Sequence, residues 1–235
     1  MGSGLQTIPL ANLALAFIPV AIVVVIMLRW SLNAGSGLFS VGRMLIQLAL
    51  IGYALNWIFA SDSAVVVTSL LTVMLLFASW IAMRPLEKRQ WHDFGRALIS
   101  IVIGGCLTLA LITLFVLEVQ PWYSPRQVIP LAGMIFASSM NTVSLSAERL
   151  AAEQQRGTDP VEARKLAYQA ALIPLLNMLL AVGLVSLPGM MTGQILSGIS
   201  PLIAARYQIM VMCMVTGASG ISAAVYLSLA IRKRI

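Results

Sequence analysis

Five residues within seven positions, Ser138, Ser139, Asn141, Thr142 and Ser144, place hydroxyl and amide groups in an otherwise apolar stretch. Such neutral groups donate and accept hydrogen bonds but do not titrate near neutral pH. Their chemistry suits lining a route for a polar solute, or joining helices. Gln47 and Asn56 sit nine apart in a second apolar stretch. Asn177 occupies a third. An amide in hydrocarbon needs a partner, so each should face other helices. Asn141, with both donor and acceptor, is the first choice for a substrate pathway. Ser138, Thr142, Gln47, Asn56 and Asn177 are the further lining candidates. The competing role for each is interhelical hydrogen bonding alone.

Thirteen methionines add a second chemistry, and Met190 and Met191 join the pathway set. Thioethers bind soft metals such as Cu(I). They are also flexible apolar fillers. No Cys or His stands beside Met190 and Met191, so no metal-ligand set is assigned. Cys106 and Cys213 lie within apolar runs, and His92, the single histidine, lies in a loop. There is no His-Glu-x-x-His pair and no Gly-x-Ser-x-Gly elbow. An enzyme has little to work with here. A phosphate-cradling Gly-x-x-x-x-Gly-Lys-Ser/Thr loop is also missing, so a pump built on this chain takes its energy from another subunit.

These side chains must be positioned by membrane helices. Of 235 residues, 60% are hydrophobic and 10% charged. Several uncharged runs reach the roughly 20 residues that cross a hydrocarbon core. The expected architecture is an all-α integral membrane protein, one domain over residues 1–235. It has about seven transmembrane helices: Ile8–Leu28, Val41–Ala60, Ala64–Met83, Ala97–Leu117, Gln127–Ala147, Ala171–Pro188 and Ala205–Ile231. No Asp, Glu, Lys or Arg is expected near the middle of a span.

Basic residues orient the spans. Arg29, Arg43, Arg84, Lys88, Arg89, Arg96, Arg149, Arg156, Arg164, Lys165, Arg232, Lys233 and Arg234 fall on one side, which is 13 of the 15. Arg126 and Arg206 fall on the other. That predicts a bacterial-type inner membrane protein with its N-terminus outside and its C-terminus cytoplasmic. The net charge of +7 then reflects topology rather than a nucleic-acid partner.

One segment breaks the apolar pattern. Ala147–Gln169 holds four basic and four acidic residues. Ala147–Arg156 is rich in helix formers. Gly157 suits a left-handed C-terminal cap. Asp159, Pro160 and Glu162 form a helix start of capping-box type. A short helix, a tight turn through Thr158 and a second helix from Val161 to about Gln169 are expected, projecting into the cytoplasm. Such a shape can dock in a cleft of a soluble partner. An amphipathic linker lying on headgroups is the alternative.

Three stretches carry a resemblance. They are "SVGRMLIQLALIGYALNWIF" (Ser40–Phe59), "QVIPLAGMIFASSMNTVSL" (Gln127–Leu145) and "ALIPLLNMLLAVGLVSLPGMMTGQILSGISPLIAARYQIMVM" (Ala171–Met212), about a third of the chain. They resemble the FetB-type family of ABC-transporter permeases, iron-export permeases with plant aluminium-tolerance relatives. "VGLVSLPGMMTGQILSG" is the most specific part of the match. In the polar insert "QRGTDP" stands where a Leu-Gly-Ala type turn is usual. The resemblance implies a permease subunit that pairs with a second copy of itself and with separate ATPase subunits, which bind ATP and Mg. It implies export of iron or a metal-related substrate. Arg156, Gly157, Thr158, Asp159, Pro160 and Glu162 would then couple to the ATPase. An ATP-independent channel or carrier, a permease for a sugar-nucleotide-type substrate, and a structural scaffold are the competing readings.

Overall fold

The computed structural model describes residues 8–86 and 90–231. Lys88, Arg89, Arg232, Lys233 and Arg234 of the basic set lie outside the described residues. The chain is helical throughout, and among the described residues the sole β pairing is an isolated bridge between Val182 and Ser186. The helices are α1 (Leu10–Leu15), α2 (Ile18–Arg29), α3 (Ala34–Phe59), α4 (Ala64–Ala82), α5 (Trp91–Ile101), α6 (Leu107–Leu111), α7 (Pro125–Gln155), α8 (Pro160–Ala181), α9 (Gly189–Leu196) and α10 (Pro201–Ile231). Two π-helical turns, Val102–Cys106 and Ile112–Val116, flank α6 and join it to α5 in one long rod.

Among the described residues, six helical stretches are long and apolar enough to cross a membrane: Leu10–Arg29, Ala34–Phe59, Ala64–Ala82, Trp91–Val116, Pro125–Gln155 and Pro201–Ile231. The expected seventh, Ala171–Pro188, is not a continuous helix. Its helix, α8, starts eleven residues earlier in polar sequence and stops at Ala181, where Val182 turns extended and Gly183 takes φ +83°. The run "VGLVSLP" explains the stop. It combines β-branched residues, a glycine free to adopt positive φ, and a proline that cannot continue a helix.

Two compact units form, Met1–Ala60 and Ser61–Ile235. In the first, α2 packs on α3, and the Met27 sulfur meets the Gly37 backbone closely. Asn33 caps α3 by accepting from the Ser36 amide at 3.1 Å. The helix begins seven residues before the expected span, so Arg43 is helical, ten residues into a 26-residue rod. That corrects its expected place in a loop.

The second unit is built around α7, which packs most extensively on α10, then on α8 and α4. Helix directions follow from neighbours. Ser138 of α7 meets Ser219 of α10, and Ala147–Gln154 lie level with Tyr226–Ile231, so α7 and α10 are parallel. Met74 of α4 touches Gly133 and Met83 reaches Tyr226, so α4 runs the same way. The α5–α6 rod returns: Asp93 is level with Tyr226, Gly104 with Ser222, and Thr113 with Val128. α8 returns too, with Arg164 beside Leu227 and Tyr168 beside Gly220. Two parallel helices need a return path between them, and α8 supplies it although half of it is polar.

This alternation gathers one set of ends together: the α4–α5 connection, the α7–α8 turn and the end of α10. Arg84, Arg96, Arg149, Arg156, Arg164 and Lys165 cluster there, while Arg126 and Arg206 mark the opposite end. Trp80, Trp91 and Phe94 interlock beside the α4–α5 connection, with ring centroids 6.2–6.4 Å apart. Aromatic clusters of this kind favour the level of lipid headgroups.

Candidate functional site

The charged end is shaped by a helical hairpin. α7 has 31 residues and α8 has 22. At 1.5 Å per residue α7 is about 46 Å long, well beyond the about 30 Å of a hydrocarbon core. Its apolar part ends at Ala147, so Glu148–Gln155 project as its last two turns. The insert is therefore not made of separate short helices. Both membrane helices run straight into it, because nothing between Leu145 and Gln155 breaks a helix.

The turn forms as its residue types dictate. Gly157 adopts φ +77°, the left-handed region that closes a helix C-terminus. Its amide donates to the Gln154 carbonyl at 3.2 Å, and that of Thr158 to Glu153 at 3.1 Å. The Asp159 carboxylate accepts from the Val161 and Glu162 amides at 3.0 and 3.3 Å, with Pro160 at the first helical position. The Glu162 side chain pairs forward with Lys165 at 3.7 Å rather than completing a capping box.

Glu153, which sequence reasoning missed, is the anchor. It is 4% exposed. Its carboxylate accepts from the Thr158 hydroxyl at 2.8 Å and from Arg156 at 3.0 Å, and pairs with Arg149 at 2.7 Å. The Thr158 bond and the two guanidinium groups hold its carboxyl below the ordinary carboxylate range in spite of burial. The spacing held a signal: Arg149 at i−4, Arg156 at i+3 and Thr158 at i+5 surround one acid. The result is a stiff turn that presents Arg156, Gly157, Asp159 and Pro160 outward, all exposed, with Thr158 half-buried.

Beside the hairpin lies a groove of about 660 Å³ between the α4–α5 connection, α7 and the end of α10. Gln90, Asp93, Arg96, Glu148, Gln154 and Gln155 supply its polar lining. Asp93 and Arg96 pair across its wall at 3.0 Å. The turn and the groove together form a polar face at the charged end.

The pathway candidates do not form one site. Within α7, Ser138 and Thr142 turn inward. Ser219 donates to the Ser138 hydroxyl at 2.8 Å, and Thr142 to the Ser138 carbonyl at 3.0 Å. Ser139 is fully buried. Among the described residues its hydroxyl, that of Ser222 and the Gln208 carbonyl oxygen have no hydrogen-bond partner. The Ser222 hydroxyl faces Gly104 of the α5–α6 rod, and Gln208 and Ser222 were not singled out from sequence. Asn141 points the other way and is exposed, in line with exposed Gln127, Pro130, Ala137, Leu145 and Glu148. Their spacing of three, four and seven defines one stripe along α7.

Asn177 is exposed on α8. Gln47 and Asn56 are exposed on α3, in the other unit. With its amide oxygen turned toward Arg43, Gln47 accepts from two guanidinium nitrogens at 3.1 and 3.2 Å. Met190 and Met191 sit on α9, Met190 exposed and Met191 half-buried. Gly189 and Gly193 around them face open space, so the "GMMTG" pattern is not a packing seam within the chain.

The family described as "Uncharacterised protein family (UPF0014)" matches residues 10–235. The chain is 37% identical over 206 residues to the UPF0014 membrane protein slr1647 of Synechocystis, covering 80% of each. It is 36% identical over 241 residues to the "Probable iron export permease protein FetB" of Escherichia coli, covering 94% of this chain and 90% of that one. It is 32% identical over 224 residues to "Protein ALUMINUM SENSITIVE 3" of Arabidopsis thaliana, covering 86% and 80%. No solved structure matches.

Proposed function

The chain belongs to the UPF0014 family of membrane proteins, and on that premise we propose that it is the membrane-spanning permease subunit of an ABC-type exporter. The observation that carries the reading is the stiff hairpin at the charged end. A loop that merely joined two spans would need a few residues. This one extends two membrane helices past the hydrocarbon layer and locks their turn with Glu153. A push on the turn is therefore transmitted along α7 and α8 into the membrane, because the helices are continuous.

The driving subunit is a separate ATPase that binds ATP and Mg and receives the turn Arg156–Pro160, with Glu162 at its margin. The positive-inside rule places that end in the cytoplasm. The permease works as a homodimer in an inner membrane. An exposed amide facing hydrocarbon lacks a partner, so the Asn141 stripe of α7 meets a protein surface, and its counterpart is the second copy. The substrate route lies along that stripe. A name that marks iron export on a relative covering 94% of this chain supports iron, or an iron complex, as cargo. The neutral pathway groups favour cargo that keeps its own ligands or hydration, because ferrous iron prefers imidazole, carboxylate and water.

The test is reconstitution with the partner ATPase in proteoliposomes. Gly157→Val forces a β-branched residue into positive φ, and Pro160→Leu removes the preset start of α8. Both variants should insert and bind the ATPase, yet hydrolyse ATP without moving iron. Substrate-stimulated hydrolysis and transport at parental rates in both would remove the coupling role. Coupled hydrolysis with no iron moved would leave the coupling intact and discard iron as cargo.

A further inference from the structure

A crevice of about 290 Å³ opens between α4, the α6 rod and the first turns of α7, in the half of the unit away from the charged end. Leu71, Leu75, Leu109, Leu114, Val128 and Phe136 form its walls. We propose that this crevice is a binding site for one acyl chain of a membrane phospholipid.

Three observations choose that occupant. The first is the chemistry of the lining. Its two hydroxyls are already committed: Thr72 donates to the Thr68 carbonyl at 2.8 Å and Thr113 to the Leu109 carbonyl at 2.8 Å. Neither has a donor left for a polar solute and the rest of the lining is almost wholly apolar, so the crevice selects an apolar occupant. The second is location. All of its walls but Trp122 belong to membrane-spanning stretches. The crevice also continues into an exposed apolar flank made by Leu107, Leu111, Leu114 and Phe115. Acyl chains are the medium at that flank. The third is the mouth. Trp122 is half exposed and packs edge-on against Tyr123 at 5.5 Å. Paired aromatics with one wet side mark the headgroup level. A chain entering below Trp122 would keep its headgroup at that level and lay its tail along Leu109 and Phe136.

Filling the crevice gives its walls the van der Waals partners that an empty gap lacks. The site is independent of cargo and of ATPase coupling.

The experiment uses the full chain in nanodiscs of phosphatidylethanolamine and phosphatidylglycerol, doped with a phospholipid carrying a diazirine on its acyl chain. Photo-crosslinks mapped by peptide mass spectrometry should concentrate on residues 71–75 and 106–114, several-fold above the exposed face of α2. Ala110→Phe projects a ring into the crevice and should remove that excess while leaving crosslinks on α2 unchanged. Crosslinks spread evenly over the exposed apolar faces of the parent protein would overturn the site. So would an excess that survives Ala110→Phe. The enrichment in the parent decides the matter even if the variant fails to fold.

Discussion

At the scale of single residues, Glu153 and Asn141 do opposite things from the same helix. Glu153 looks inward and is satisfied three times over. Glu153→Ala should leave Arg149 and Arg156 without their shared partner and free the Thr158 hydroxyl. Limited proteolysis of the reconstituted protein should then cut between Gln155 and Pro160 faster than in the parent. Equal cutting rates would show that the backbone caps alone hold the turn. Asn141 looks outward from a spanning stretch. Asn141→Leu should lower transport or shift its substrate preference, with dimer and ATPase retained. Parental transport in Asn141→Leu, together with loss of transport in Gln47→Leu and Asn56→Leu, would assign the route to α3 instead.

At the scale of elements, the long rod Trp91–Val116 depends on one glycine. A Cβ on Gly104 would collide with the Ser222 hydroxyl and come within 2.6 Å of the Ala218 carbonyl oxygen and 2.7 Å of the Ser222 amide. These are largely backbone atoms and cannot swing away. The π-helical turn at Val102–Cys106 brings the rod this close to α10. Gly104→Val should therefore destabilise the unit by about 1–3 kcal/mol or more, the usual cost of overpacking. A fall in thermal unfolding temperature in detergent would report it, and an unchanged temperature would show that the rod moves aside. Gly95, at the wetter start of the same rod, has open space and is the control. α8 teaches the complementary point. It fails a composition test for a span because its first half is polar, yet it completes the alternation between α7 and α10.

At the scale of the whole molecule, the helix directions divide Ser61–Ile235 into two ends that differ in charge. Ser63, at the start of α4, and Thr158, in the hairpin turn, lie at opposite ends. Single cysteines at these positions, with Cys106 and Cys213 replaced by serine, should react with an impermeant maleimide from opposite faces of the membrane. Thr158→Cys should be the one protected in intact cells. Reaction of both from the same face would reject the orientation and, with it, the cytoplasmic ATPase.

Membrane class, six of the seven expected apolar spans and the chemistry of the hairpin turn were legible from residue types alone. Each depends on local rules: hydropathy over about 20 residues, a glycine free to take positive φ, an aspartate and proline at a helix start. The family resemblance was legible too, because it lies in contiguous stretches. Four things were not. The sixth stretch reads as apolar by composition but breaks at Ala181, since helix continuity depends on the backbone conformation taken at Val182 and Gly183, not on hydropathy. The five polar groups of α7 cannot share one helix face at 3.6 residues per turn, but only packing decides that Ser138 meets α10, that Thr142 is buried and that Asn141 is exposed. Ser219 gains its place opposite Ser138 only through contact across 81 positions of chain. Glu153 looked like one charge among eight until the fold buried it. Side-chain direction and burial are properties of how helices meet, and a linear sequence records them only where spacing alone decides the neighbour.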